Sequence, residues 1–319
     1  MSMDFSTYPS GGDMEVPLFL DLGYRVICPD CCGYGRSVGL TITSLFSEPV
    51  AHSIVQEAPT DSIIPYTFKS LADDIVQIAK QLDCENIIVG GHDWGAMVAY
   101  KMAFWHPEFV THIFTVCVPY SLPSPQWVEF EFEIDATIFP TLGYQAQFSS
   151  GLIEQKTQSA DGIRHSLTAL YGGQSKGQSA MSAFTDVDFE KARHLSRPQF
   201  VNEEEMEYHV HEFSRNGLTG PCNFYRNWRQ NFEDDLPFSK EEKRAQAVLE
   251  PPTLFLYATE DVFIRPEMTK GMLEAVSHLT VVDIEASHWI LWQKPEEVNE
   301  ALRHWFDKQG LASRNPRTT

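Results

Sequence analysis

Two parts of the chain alternate short apolar runs with amphipathic ones, and a long polar stretch separates them. In the first part, Tyr24-Arg25-Val26-Ile27-Cys28 is rich in β-formers and is closed by Pro29-Asp30, the pattern of a buried strand that ends in a loop. A glycine-rich turn follows at Gly33-Tyr34-Gly35. Residues 38–64 mix Ser, Thr, Pro and apolar positions without a sustained period, so they read as an irregular excursion or an insertion. Over 67–82, Phe68, Leu71, Ile75, Ile78 and Ala79 recur at helical spacing with acids between them, which predicts an amphipathic helix. Ile87-Ile88-Val89 predicts a second buried strand, 90–95 a tight turn, and 96–105 an apolar helix stopped before Pro107. Another strand is predicted over 112–118, ending at Pro119.

The polar stretch, 123–250, is rich in Gln, Ser and Glu and carries helix-like pieces at 203–216 and 225–233. After Pro251-Pro252 the earlier pattern resumes, with a strand at 253–257, a helix around 266–276, a strand at 279–284 and a helix at 296–308. Strands that read as unbroken apolar runs between helices are covered on both faces, which predicts an α/β fold with a mostly parallel sheet. A helical insert interrupting one core divides the chain into 1–122, 123–250 and 251–319.

Composition narrows the partners. The chain has 319 residues, 43% of them hydrophobic, enough to bury a core. Lys and Arg number 24 against 44 Asp and Glu, and the net charge of -20 repels phosphate backbones and anionic lipid, so no nucleic acid is expected as partner. No run approaches the roughly 18 apolar residues of a membrane span, and the first basic residue, Arg25, comes too late for a secretory leader. These features predict a cytoplasmic protein and leave a homo-oligomer open. Cys28 and Cys31 form a C-P-D-C, but no second pair completes a zinc site, so reduced thiols are expected.

The chemistry concentrates at Gly91-His92-Asp93-Trp94-Gly95, between a predicted strand and a predicted helix. In that setting G-x-nucleophile-x-G forms a sharp turn whose crowding excludes side chains two positions either side of the centre. The turn leaves Asp93 at the positive end of the following helix, which favours an ionised nucleophile. A plainer alternative is a βα turn in which Asp93 merely caps the helix. The order of later residues favours catalysis. Strand 253–257 leads into Ala258-Thr259-Glu260-Asp261, with Asp261 the candidate acid, Glu260 its alternative and Asp283 a distant third. Strand 279–284 leads into Ala286-Ser287-His288-Trp289, with His288 the candidate base. A carboxylate against the imidazole fixes its tautomer and leaves the other nitrogen to deprotonate water. His209-Val210-His211-Glu212 could ligate a metal, but beside Glu203-Glu204-Glu205 it reads as a solvated helix face.

With these residues the chain resembles the epoxide hydrolase branch of the α/β-hydrolases, especially its fungal-type members, over roughly 13–307 apart from 38–64. The matching residues are Gly23-Tyr24-Arg25-Val26, Gly33-Tyr34-Gly35, the turn at 90–95 and Ala286-Ser287-His288-Trp289. Two more lie in the insert, Gly143-Tyr144-Gln145 and Gly220-Pro221-Cys222-Asn223-Phe224-Tyr225-Arg226. The resemblance implies an α/β-hydrolase fold whose insert is a helical lid, with Tyr144 and Tyr225 reaching the oxygen of a small-molecule epoxide. Otherwise both would be ordinary core aromatics. It also implies that Trp94 lines the pocket and lends its backbone N–H to the oxyanion. Attack by Asp93 would give an ester that water activated by His288 hydrolyses to a vicinal diol, with no metal or organic cofactor. A haloalkane dehalogenase-like hydrolase is one alternative, since it shares the Asp and the Trp after it but needs a halide cradle in place of two phenols. A catalytically impaired, non-enzymatic homologue is the other.

Members of that branch carry a longer start, with three strands and a His-Gly-x-Pro loop that gives a second oxyanion N–H. The third strand lies between those matching 24–28 and 87–89. Here Ser6-Thr7-Tyr8-Pro9 echoes only the end of the loop and no apolar strand precedes it, so the sequence predicts an N-terminally incomplete core shortened from a longer parent.

Overall fold

Four of the strands, at 87–92, 110–116, 253–258 and 279–284, coincide with apolar runs in the computed structural model, which describes residues 2–4, 15–35, 37, 62–127, 141–175, 178–181 and 186–311. The strands are β1 (Ser2–Asp4), β2 (Ile87–His92), β3 (Val110–Val116), β4 (Gln174–Ser175), β5 (Gln178–Ser179), β6 (Thr253–Ala258) and β7 (Leu279–Ile284). Helices α1 (Val16–Asp21), α2 (Phe68–Gln81) and α3 (Trp94–Trp105) come first. The middle of the chain holds α4 (Tyr144–Ser149), α5 (Leu152–Lys156), α6 (Ala160–Leu170), α7 (Phe189–Ala192), α8 (Glu203–Asn216), α9 (Thr219–Asn223) and α10 (Trp228–Asp235). The last part adds α11 (Glu241–Arg244), α12 (Pro266–Thr269), α13 (Met272–Ala275), α14 (Ile290–Gln293) and α15 (Pro295–Lys308). Two compact units result, one of Met1–Pro29, Ala72–Trp127 and Phe232–Thr319, the other of Asp30–Leu71 and Val128–Asn231.

In the first unit, β1-β2-β3-β6-β7 form one parallel sheet in that order. All six residues of β6 are buried, as expected of a strand covered on both faces. Helix α3 is apolar but for Lys101, which pairs with Asp235, and is almost wholly buried. Helix α15 is amphipathic and buries Val298, Leu302, Trp305 and Phe306 in a cluster with Leu254 and Leu256 of β6. Truncating one such side chain, for example Leu302→Ala, costs about 2–5 kcal/mol.

Residues 24–28 are not a strand. The Tyr24 hydroxyl donates to the Leu311 carbonyl at 2.8 Å, Val26 packs on the core and Cys28 is exposed. The neighbouring edge strand, β1, has only three residues, paired with Gly90, Gly91 and His92, so 24–28 have no described ladder to join. That same β1 fills the place beside β2 that was expected to be empty. The helix around 266–276 is two short helices, α12 and α13, with Gly271 starting the second. Residues 6–9 and 38–61 lie outside the described residues.

In the second unit, helix α8 opens on a capping box in which Asn202 and Glu205 satisfy each other's backbone N–H groups. Its three glutamates belong to that first turn and not to the face that follows. Met206, His209, Val210 and Phe213 recur at helical spacing and are buried, so the solvated face expected at 209–212 is mostly interior. His209 Nδ1 lies 3.0 Å from the Tyr171 hydroxyl, and buried Glu212 accepts from Arg215 at 2.9 Å. The turn at Gly33 approaches Gly220 so closely that a Cβ on Gly33 would stand 2.7 Å from the Gly220 Cα. Tyr34 packs edge-on against Phe213 and Phe224, and Tyr66 against Phe224. Among the described residues no helix is long and apolar enough to cross a membrane.

Candidate active site

Strand β2 leaves the sheet at Asp93, whose φ of 51° and ψ of -120° are a strained choice for a residue with a side chain. Such a conformation costs about 1–3 kcal/mol and persists only where its surroundings hold it. Here the Asp93 N–H donates to the Val116 carbonyl at 3.3 Å and its carbonyl accepts from Ala96 N–H at 3.0 Å. A Cβ on Gly91 would stand 2.1 Å from the Gly95 carbonyl oxygen, so the turn closes only on glycine. The carboxylate of Asp93 is thereby delivered to the N-terminus of α3. The main-chain N–H of Trp94 hydrogen-bonds it, and the Trp94 side chain is buried.

His288 lies after β7 and Asp261 after β6. His288 Nε2 is 3.1 Å from Asp93 Oδ1, and His288 Nδ1 is 2.7 Å from Asp261 Oδ2. The other oxygen of Asp261 accepts the N–H groups of Phe263 and Ile264 at 2.8 and 3.2 Å. Glu260 and Asp283, the alternative acids, are both exposed.

Burial pushes the Asp261 carboxyl up, but the charge and hydrogen bond of His288 and the two N–H groups outweigh it and leave it below the ordinary value. Burial likewise opposes the charge on Asp93, and the hydrogen bond and charge of His288, then His92 and the Trp94 N–H, bring it below the ordinary value. Burial would discharge His288, yet Asp261 and then Asp93 hold it well above the ordinary imidazole range. The resting group is therefore an imidazolium between two carboxylates, with one negative charge in excess.

Two side chains beside it carry no motif signal of their own. His92 Nε2 lies 2.8 Å from the His288 carbonyl oxygen, and Cys117 Sγ donates to the same oxygen at 3.3 Å. The donor atoms of His92, Cys117 and His288 fall within 4.8 Å of one another, a metal-like grouping. Ligation there would break existing bonds, since both His288 nitrogens face carboxylates and the other two side chains serve the carbonyl.

Tyr144 and Tyr225 belong to the second unit and meet each other there, with ring centroids 6.1 Å apart. Both lean on Phe148, at 5.6 and 4.9 Å. Arg226, next to Tyr225, donates to the Ser149 carbonyl at the end of α4 and to Asn223 Oδ1, each at 2.9 Å, and pairs with Glu154 of α5. Tyr144 is 7% exposed. The candidates thus gather in two sets, Asp93, Asp261 and His288 in one unit and the two tyrosines in the other.

The alpha/beta hydrolase fold family matches residues 7–295. Epoxide hydrolase srdG of Neurospora crassa is 33% identical over 307 residues, covering 93% of this chain and 83% of its own length. The bifunctional epoxide hydrolase 2 of Rattus norvegicus is 25% identical over 92% of this chain, which spans 48% of the rat protein. The crystal structure of epoxide hydrolase A from Mycobacterium thermoresistibile superposes with a TM-score of 0.69 at 25% identity, covering 96% of this chain and 90% of that one.

Proposed function

Because this chain belongs to the epoxide hydrolase branch of the α/β-hydrolase fold family, we propose that it opens a small-molecule epoxide to a vicinal diol through a covalent ester on Asp93. An Asp93 oxygen attacks a ring carbon, the ring C–O bond breaks, and its electron pair stays on the epoxide oxygen. That oxygen takes a proton from Tyr144 or Tyr225, phenols of the insert at 123–250 that we read as the lid. Esterification removes the negative charge of Asp93. His288 then loses one of the two anions that keep it protonated, its pKa falls, and it becomes a base as the ester appears. The proton it sheds replaces the one the phenol gave.

Water that gives a proton to His288 attacks the ester carbonyl. The Trp94 N–H, already on the Asp93 carboxylate, steadies the resulting oxyanion. The bond between acyl carbon and diol oxygen breaks and the diol leaves with the proton from His288; Asp93, now an acid holding one oxygen from water, passes its proton to His288, which restores the carboxylate and the imidazolium.

The observation that supports this reading best is the chain of contacts from Asp93 through His288 to Asp261 at a strained turn. Incubating the chain with styrene oxide tests it. Diol should form, and Asp93→Ala should lower the rate by at least about 10³-fold, within the roughly 10⁶-fold that loss of a serine protease's nucleophile costs; diol formed equally fast by that variant would exclude Asp93.

A further inference from the structure

His288 sits in a loop with no helix or ladder of its own, so other groups must hold its main chain. Its carbonyl oxygen accepts from two side chains, His92 Nε2 at 2.8 Å and Cys117 Sγ at 3.3 Å. His92 is 1% exposed and Cys117 0%, so water does not compete for either bond. A carbonyl only accepts, which places a proton on His92 Nε2.

The two donors stand at neighbouring strand ends. His92 closes β2 immediately before Asp93, and Cys117 follows β3. These ends are themselves tied, the Asp93 N–H to the Val116 carbonyl at 3.3 Å and the Cys117 N–H to the Leu256 carbonyl at 3.0 Å. Leu256 lies in β6, the strand that leads to Asp261. Cys117 holds its place with a φ of 67°, in the left-handed region that side-chain-bearing residues rarely adopt. The His288 carbonyl is thus pinned to the strand end that carries Asp93 and, through the tie from Cys117 to Leu256, to the strand that leads to Asp261.

We propose that His92 and Cys117 are positioning residues, which hold the His288 carbonyl and so keep its imidazole in register between Asp93 and Asp261. The proposal rests on the ester mechanism above. Attack by Asp93 needs no base, whereas ester hydrolysis needs His288 aimed at water, so the two donors govern the second half of the cycle.

Rapid-mixing experiments on the full chain with styrene oxide separate the halves. In Cys117→Ala and in His92→Phe, ester hydrolysis should slow about tenfold, within the roughly 10²-fold that a 1 Å misplacement costs, while ester formation stays within about twofold. Cys117→Ser, which restores a donor, should recover most of the loss. Unchanged hydrolysis, or equal slowing of both halves, overturns the proposal. Should Cys117→Ala not fold, His92→Phe carries the same expectations. The proton resonance of His288 Nδ1 gives a readout free of turnover: the variants should shift or broaden it, and an unaltered signal overturns the proposal even if the wild-type chain forms no ester, an outcome that would sink the ester mechanism separately.

Discussion

Asp93 and Asp261 are held by main-chain hydrogen bonds at the ends of parallel strands, with His288 fixed between their carboxylates and by two side chains on its carbonyl, whereas Tyr144 and Tyr225 are held by ring packing and by one arginine. In the first unit, Asp93 is fixed through Val116 and Ala96, and Asp261 through Phe263 and Ile264. In the second, Phe148 touches both tyrosines, and Arg226 ties the segment of Tyr225 to α4 and α5. Charges that must meet within a few tenths of an ångström need the stiffer support. Phenols that donate one proton to a bound oxygen can work from packed helices.

The contrast can be broken at its charged end first. His288→Gln removes the base and leaves the nucleophile, so ester should form and persist while turnover falls by about 10²–10⁴-fold, the usual worth of a positioned acid or base. Mass spectrometry of the Asp93 peptide after styrene oxide checks this; steady turnover without adduct would show that the ester is not on the path.

The phenols come next. Tyr144→Phe with Tyr225→Phe should slow ring opening by about 10²–10³-fold, comparable to losing a preorganised donor. The rate of ester formation measures it. A chain that worked as a dehalogenase would turn over a haloalkane undiminished in this double variant.

The smallest effect is on stability. The folded pKa of Asp261 is depressed, so its contribution is present above its unfolded value, about 3.9, and is lost as pH falls. His288 is raised, so its contribution is complete below its unfolded value, about 6.5, and is lost as pH rises through the higher folded one. Urea denaturation of the wild type should therefore show greatest stability between those limits, and the alkaline decline should flatten in His288→Gln. Parallel pH curves for the two proteins would mean that the ion triplet does not persist in the folded chain.

The same contrast explains what could be read in advance. Strand ends are legible because an apolar run followed by a turn fixes where the chain emerges, and Asp93, Asp261 and His288 each follow such a run in the order of a hydrolase. Their meeting needs only a parallel sheet. His92 and Cys117 were not legible, since one occupies a variable place in the glycine motif and the other is a single thiol after a strand; their shared acceptor is a main-chain oxygen distant in sequence. Tyr144 and Tyr225 have no spacing that separates them from packing aromatics, and only the resemblance singled them out. Residues 24–28 misled because β-propensity describes the residue and a strand also needs a partner. At 209–212 the neighbouring glutamates suggested solvent, whereas they form the capping turn of a helix whose next face is buried.

The central claim is that Asp93 carries the substrate. A single turnover of excess protein with styrene oxide in ¹⁸O-enriched water, followed by mass analysis of the Asp93 peptide and the diol, reads it directly. The ester route puts the label in the Asp93 carboxyl and leaves the diol unlabelled; labelled diol with an unlabelled peptide would contradict it.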